Sequence, residues 1–367
     1  YRHDSGPTAT ELRVLPTTAA LASTAGGAMV HWRQSTIGEQ LDENNSITLS
    51  GVESDDDISA ALSAAIAAAN GKQIRIPAGR WYLDSQVTGS TSANLVLDDG
   101  AEIIKRHDDG AALNLTSPFL NIVSVTGTVS KGDLSFVVSD ASGYAAGDDI
   151  RLVSADRLPG TRDAPGDGKD YRKGEALKVA SVVGNTITVT SPIRDDYTTT
   201  VRVGRYSPTF VSIKGGAWGV EDGHDADPWT TGLVRISGYP EVNVDTTVAS
   251  SYGQAIAVHG AVRGSLYAVG DNLRDSQPNG QFGYLFDLVG ISGMTVHVVA
   301  GNCRHGITTN QIEVTDSETN LALFGPTGRG CKFSASGAGA SQSLIDTHHG
   351  AEDILIDLTN VTGRSTA

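Results

Sequence analysis

Apolar and polar residues alternate in short runs along most of the chain, and glycine, asparagine or aspartate closes many of the runs. Gln73-Ile74-Arg75-Ile76, Leu95-Val96-Leu97, Asn185-Thr186-Ile187-Thr188-Val189-Thr190 and Asp353-Ile354-Leu355-Ile356 are of this kind. Alternation of period two, rich in β-branched residues and bounded by turn formers, predicts short β-strands. One stretch breaks the rule. In Asp55–Gly71 the residues Ile58, Leu62, Ala65, Ile66 and Ala69 fall on one helical face. Aspartates at positions 55–57 suit the positive end of a helix dipole, and Asn70-Gly71 supplies a left-handed stop.

From about residue 209 the strands recur: Val242-Asn243-Val244, Ser265-Leu266-Tyr267, Met294-Thr295-Val296, Cys331-Lys332-Phe333 and Asp353-Ile354-Leu355-Ile356. A short strand every ~20 to 30 residues is the mark of a solenoid, in which each turn buries its apolar side against its neighbours. Val258-His259-Gly260, Leu288-Val289-Gly290 and His348-His349-Gly350 each precede one of these strands, as though one corner of the turn were repeated. Before them, residues 122–206 carry hairpin signals at Lys131-Gly132-Asp133, Gly147-Asp148-Asp149 and Gly184-Asn185, which predict a small antiparallel insertion. The expected organisation is an N-terminal arm over 1–50, a capping helix and first turns over 51–121, the insertion over 122–206, and the solenoid over 207–367. The chain stops just after a strand without a polar cap, so further turns are expected beyond 367.

Composition narrows the class. There are 43 glycines among 367 residues, and the net charge is −15. A surface of that sign repels nucleic-acid phosphates and anionic membranes. No apolar run reaches the ~20 residues needed to span a bilayer, so neither a nucleic-acid partner nor membrane insertion is expected. The two cysteines, Cys303 and Cys331, allow one disulfide at most, and free buried thiols are the favoured state. No nucleophile elbow, phosphate loop, dinucleotide fingerprint or zinc spacing is present, which leaves no cofactor and no metal to expect.

An aspartate-led helix, a strand, and then Ile76-Pro77-Ala78-Gly79-Arg80-Trp81-Tyr82 resembles the opening of the pectate-lyase-like β-helix superfamily, where phage tailspikes and depolymerases begin in this way. Gly51-Val52-Glu53-Ser54 departs from the usual Gly-Asp-Gly before the aspartates. Arg304-His305-Gly306-Ile307-Thr308-Thr309, followed by Asp346-Thr347-His348, is similar to a pattern that recurs in phage β-helix proteins. The resemblance implies an all-β fold: a right-handed parallel β-helix with an N-terminal capping helix and a small antiparallel β insertion. It also implies a homotrimer on a virion tail, joined to other tail or baseplate proteins through the arm. The function implied is binding and cleavage of a bacterial surface polysaccharide, whether capsule, O-antigen or exopolysaccharide. A non-catalytic receptor-binding or structural tail protein and a secreted bacterial polysaccharide lyase are the rivals.

Four clusters could carry that chemistry. Glycan hydrolysis needs two carboxylates, and β-elimination needs a base beside a neutralised uronate. Asp346-Thr347-His348-His349-Gly350-Ala351-Glu352 offers both kinds of group, with a polar turn corner as the bland alternative. His305, with Arg304, is expected to stack near His348. Trp218 and Trp229 flank Asp225, Asp227 and His224, a combination suited to stacking on sugar rings and binding hydroxyls, or simply to a solvated acidic loop. Asp271–Gln281 forms a loop in which Arg274 could clamp a uronate, with Asp275 and Asp287 near it. The candidate catalytic residues are therefore Asp346, His348, Glu352, His305, Asp275 and Asp287. The candidate substrate-binding residues are Trp218, Trp229, Asp225, Asp227, Arg274 and Arg304. Hydrolysis is favoured over lyase chemistry.

Overall fold

A computed structural model describes residues 46–49, 53–158, 171–224, 231–274, 283–325, 328–338, 340, 342–347 and 351–362. The alternating strands wind into a right-handed parallel β-helix, with equivalent strands of successive turns side by side. One face is an eleven-stranded sheet and a second is a seven-stranded sheet. Short pairs, Ser251–Tyr252 with Leu273–Arg274 and Ile291–Ser292 with Gly328–Arg329, sit between them.

The period-two pattern sorts side chains between the inside and the outside of the coil. Val244, Leu266, Val296 and Phe333 occupy one register position in four consecutive strands of the larger sheet, and all are buried. Leu113, Val234, Ile256, Phe286 and Ile307 do the same in the smaller sheet. Each such burial stabilises the fold by about 1.5–3 kcal/mol. The stack fixes register, because a slip of one residue would turn every apolar side chain outward.

A helix, Ser59–Ala69, lies at the first turn with Leu62, Ala65, Ile66 and Ala69 buried. Asn70 ends it in the left-handed conformation. The helix starts later than the acidic run suggested, and its first turn holds no carboxylate. Asp57 instead accepts hydrogen bonds from the Ser59 backbone N–H (2.9 Å) and hydroxyl (2.5 Å). It also accepts from the Asp84 N–H (3.2 Å), which ties the helix entry to the next strand.

Six antiparallel strands from Phe119–Thr126 to Arg202–Tyr206 close into a small barrel with its own apolar core, including Phe136, Ile150, Leu152, Ile187 and Tyr197. The barrel is fastened to the corner that follows the strands of the seven-stranded sheet. Arg151, buried, donates to the carbonyls of Gly290 (2.9 Å) and Phe324 and to the Tyr206 hydroxyl (3.1 Å). The Tyr206 hydroxyl donates to the Gly260 carbonyl (2.7 Å). Gly260 and Gly290 hold positive φ at one repeated corner, and a β-carbon on either would collide with atoms of the covering segment Leu321–Phe324 or with Arg151. The segment after His305–Thr309 thus lies against the sheet and, with the barrel, walls one side of its outer face. Cys303 and Cys331 are both free and buried, and burial pushes the Cys303 thiol up to about 12. No helix among the described residues is long and apolar enough to cross a membrane.

Candidate functional site

The outer face of the seven-stranded sheet carries one polar row. Strand register aligns Asn114, Arg235, Ala257, Asp287, Thr308 and Asp346 in successive turns. Asn114, Arg235, Ala257 and Asp287 each lie between inward apolar neighbours, so the alternation that builds the core also points the row outward. Charged residues are separated by small ones: Ala257 lies between Arg235 and Asp287, and Thr308 between Asp287 and Asp346. The two carboxylates stand two strands apart, about 9.6 Å at the backbone. Asp287 is 2 % exposed, and the Asp346 side chain is 32 % exposed.

Asp346 is held by a histidine. His305 Nε2 lies 3.3 Å from Asp346 Oδ2, and its Nδ1 lies 2.9 Å from both the carbonyl and the hydroxyl of Ser343. If Nδ1 accepts from the hydroxyl, the neutral ring carries its proton on Nε2. If Nδ1 donates to the carbonyl, a proton shared by ring and carboxyl lies between Nε2 and Oδ2. Either way the His305–Asp346 pair holds a proton at that contact. The Tyr284 ring lies 5.1 Å from the imidazole, and Arg304 reaches over Tyr284 at 6.0 Å.

At the other end of the row Arg235 is half-buried. Burial lowers its pKa, and the Asp287 charge acts in the opposite sense. His259 lies one strand over and two residues along on the same face, fully buried. Burial, reinforced by Arg235, pushes its pKa down to about 3, so it is neutral. Among the described residues neither His259 ring nitrogen has a hydrogen-bond partner, and nor does the buried Thr308 hydroxyl between the two carboxylates. Buried polar atoms left in this state mark a place that water or a ligand would complete.

The structure brings together three of the residues expected from sequence, His305, Asp346 and Asp287, and sets others apart. Trp218 is a correction. It is 0 % exposed, inside the coil, and offers no face to a sugar. Glu352 is another. It lies at a different corner, bonded to Arg329 (3.0 Å), which also meets Asp195 (3.0 Å) and the buried Glu175 (3.5 Å). That network joins barrel to coil, so Glu352 is a structural partner and is not aligned with the row. Arg304 stands beside the site without joining the row. Arg274 lies in the short strand Leu273–Arg274. His348, Asp275, Trp229, Asp225 and Asp227 lie outside the described residues. His224 is occupied by Asp108 (3.2 Å). Arg235, His259 and Thr308 were not singled out as site residues. For Arg235 a signal was present, a charged residue between strictly apolar neighbours in Val234-Arg235-Ile236.

No protein-family model matches the sequence, and no curated protein matches it. Among solved structures the chain is similar to the gp54 tailspike of Acinetobacter baumannii bacteriophage AP22, solved in complex with A. baumannii capsular saccharide. The two are 14 % identical with a TM-score of 0.47, over 92 % of this chain and 70 % of that one. It is similar to the tailspike gp49 of Pseudomonas phage LKA1 at 17 % identity and TM-score 0.49, over 84 % of this chain and 57 % of that one. The tailspike gp61 of Pseudomonas phage phi297 follows at 15 % identity and TM-score 0.38, over 83 % of this chain and 63 % of that one. The chain thus spans less than two thirds of the two Pseudomonas phage proteins.

Proposed function

We propose that the chain is a tailspike-type protein that binds a bacterial surface polysaccharide along the outer face of the seven-stranded sheet and hydrolyses it there. One observation carries the reading: Asp287 and Asp346 lie on one outward register row, two turns apart, with an unpartnered hydroxyl between them. Their backbone spacing of about 9.6 Å leaves room for a water molecule beside the scissile bond, as inversion requires, with carboxyl groups ~6.5–9.5 Å apart. Asp346 is the acid in the arrangement where His305 Nδ1 donates to the Ser343 carbonyl, which leaves the proton of the Nε2–Oδ2 contact on Asp346. Its proton passes to the glycosidic oxygen as the bond to the anomeric carbon breaks. Asp287, beside the Arg235 cation, is the base. It takes a proton from the water whose oxygen forms the new bond to that carbon. Thr308 is placed to hold that water or a sugar hydroxyl.

In the same proposal the protein is a homotrimer on a virion tail, and residues 1–50 are the arm that meets other tail proteins. The test is incubation with a panel of capsular and lipopolysaccharide glycans, following new reducing ends together with the absorbance of unsaturated uronate. Reducing ends without the absorbance are expected. Asp287→Asn and Asp346→Asn should each lower the rate by about 10²–10⁴-fold, the usual weight of general acid–base catalysis, with affinity retained. Absorbance of the unsaturated product would replace hydrolysis by elimination. Tight binding without either signal would leave an adhesin, and sedimentation as a monomer would remove the trimer.

A further inference from the structure

The polar row holds a cation that the chain leaves without a direct contact. Among the described residues the Arg235 guanidinium has no hydrogen-bond or ion-pair partner, and Asp287 acts on it only through space. Its neighbour in the next turn is Ala257, whose side chain ends at Cβ, so the space between Arg235 and Asp287 is not filled by the row itself. Its neighbour in the previous turn is Asn114, which is engaged with Gln86 (3.2 Å). Among the described residues neither nitrogen of the buried His259 ring has a hydrogen-bond partner. A cation partly withdrawn from water gains from a partner of opposite charge, and a guanidinium is a planar fork that matches a carboxylate through two parallel hydrogen bonds. The rest of the row is acidic. An anionic group on a ligand is repelled near Asp287 and Asp346 and is welcome only at the Arg235 end.

Resting on the reading of this face as the glycan site, we infer that Arg235 recognises the carboxylate of an acidic sugar, a uronate or a ulosonate, and so selects an anionic polysaccharide. Because one end of the row accepts negative charge and the other rejects it, the polymer enters in one direction only.

The test is a cycle of two changes. Uronate-bearing capsular polysaccharides from the panel are compared with the same polymers after their carboxylates have been reduced to primary alcohols. Wild type is compared with Arg235→Gln and with Arg235→Lys, which keeps the charge but not the fork. Affinity and reducing-end release are both measured, and thermal melting checks the fold. Carboxyl reduction should weaken wild-type binding by about tenfold or more, the contribution of a charge-assisted hydrogen bond. Arg235→Gln should weaken binding to the native polymer by a similar factor and leave binding to the reduced polymer unchanged. Arg235→Lys should fall between. Equal wild-type binding to native and reduced polymers overturns the inference, as does an equal loss on both forms in Arg235→Gln. A phosphate-bearing polymer bound with the same dependence on Arg235 overturns the carboxylate assignment. A neutral glycan bound and cleaved alike by wild type and Arg235→Gln refutes the inference while the glycan reading stands. Binding to no glycan of any kind refutes both.

Discussion

Trp218 and His259 are both fully buried, and each carries ring nitrogen that finds no partner. For Trp218 the consequence is a matter of stability alone. Trp218→Ala should cost about 3–5 kcal/mol through the cavity it leaves. Trp218→Phe should cost less than about 1.5 kcal/mol, since it deletes an N–H whose burial is itself unfavourable. Denaturant unfolding checks both, and neither variant should change glycan affinity. For His259 the consequence is pH dependence. Its folded pKa of about 3 lies below the 6.5 expected of the unfolded chain. The unfolded state therefore binds the extra proton, and the stability this residue contributes is present above pH 6.5 and lost as pH falls toward 3. His259→Gln should flatten the stability profile across that window, as followed by urea midpoints at several pH values. Trp218 was misread from sequence because an aromatic residue beside Gly219 and the acids that follow looks like a loop residue. Only the pairing of its strand with Ala101–Lys105 shows that it points inward.

At the level of elements, the barrel and the coil are joined by few but deeply buried contacts. Arg151 is the central one, and Arg151→Met leaves the carbonyls of Gly290 and Phe324 without their donor. An unsatisfied buried carbonyl costs about 1–3 kcal/mol. The expected outcome is an intact barrel core with faster amide hydrogen exchange in residues 284–292 and 321–325, measured by mass spectrometry. Slower cleavage should accompany it, because those residues wall the site. Strands, the helix and hairpin turns were legible because each depends on local alternation and on residues such as Asn70 and Gly184 that take positive φ. The docking of the barrel was not legible. Its contacts join residues far apart in sequence, as where Arg151 meets carbonyls more than a hundred residues away, and nothing near Arg151 in sequence announces that contact.

For the whole molecule, the coil converts sequence distance into a fixed lateral step. Asp287, Thr308 and Asp346 are separated by unequal lengths of chain yet occupy adjacent register positions. The recurrence of strands made the solenoid readable, while unequal loops hid which residues share a row. The net charge of −15 acts at this scale too. An anionic polymer approaches against a repulsive field that salt screens over about 8–10 Å. Its association rate should therefore rise as ionic strength is raised from low values to the physiological range, as stopped-flow binding would show. A fall would indicate a locally positive approach path.

The lateral step also limits how the proposed carboxylate pair can change. Along the row a carboxylate can move only by whole turns, about 4.8 Å at a time, while its outward direction is preserved. Moving the acid from position 346 to 308, in the double variant T308D/D346T, would bring the pair from two steps to one. That is close to the ~5–5.5 Å at which glycosidases form a covalent intermediate and retain configuration. The stereochemical outcome of the reaction is then a discrete property of the coil, set by how many turns separate two residues.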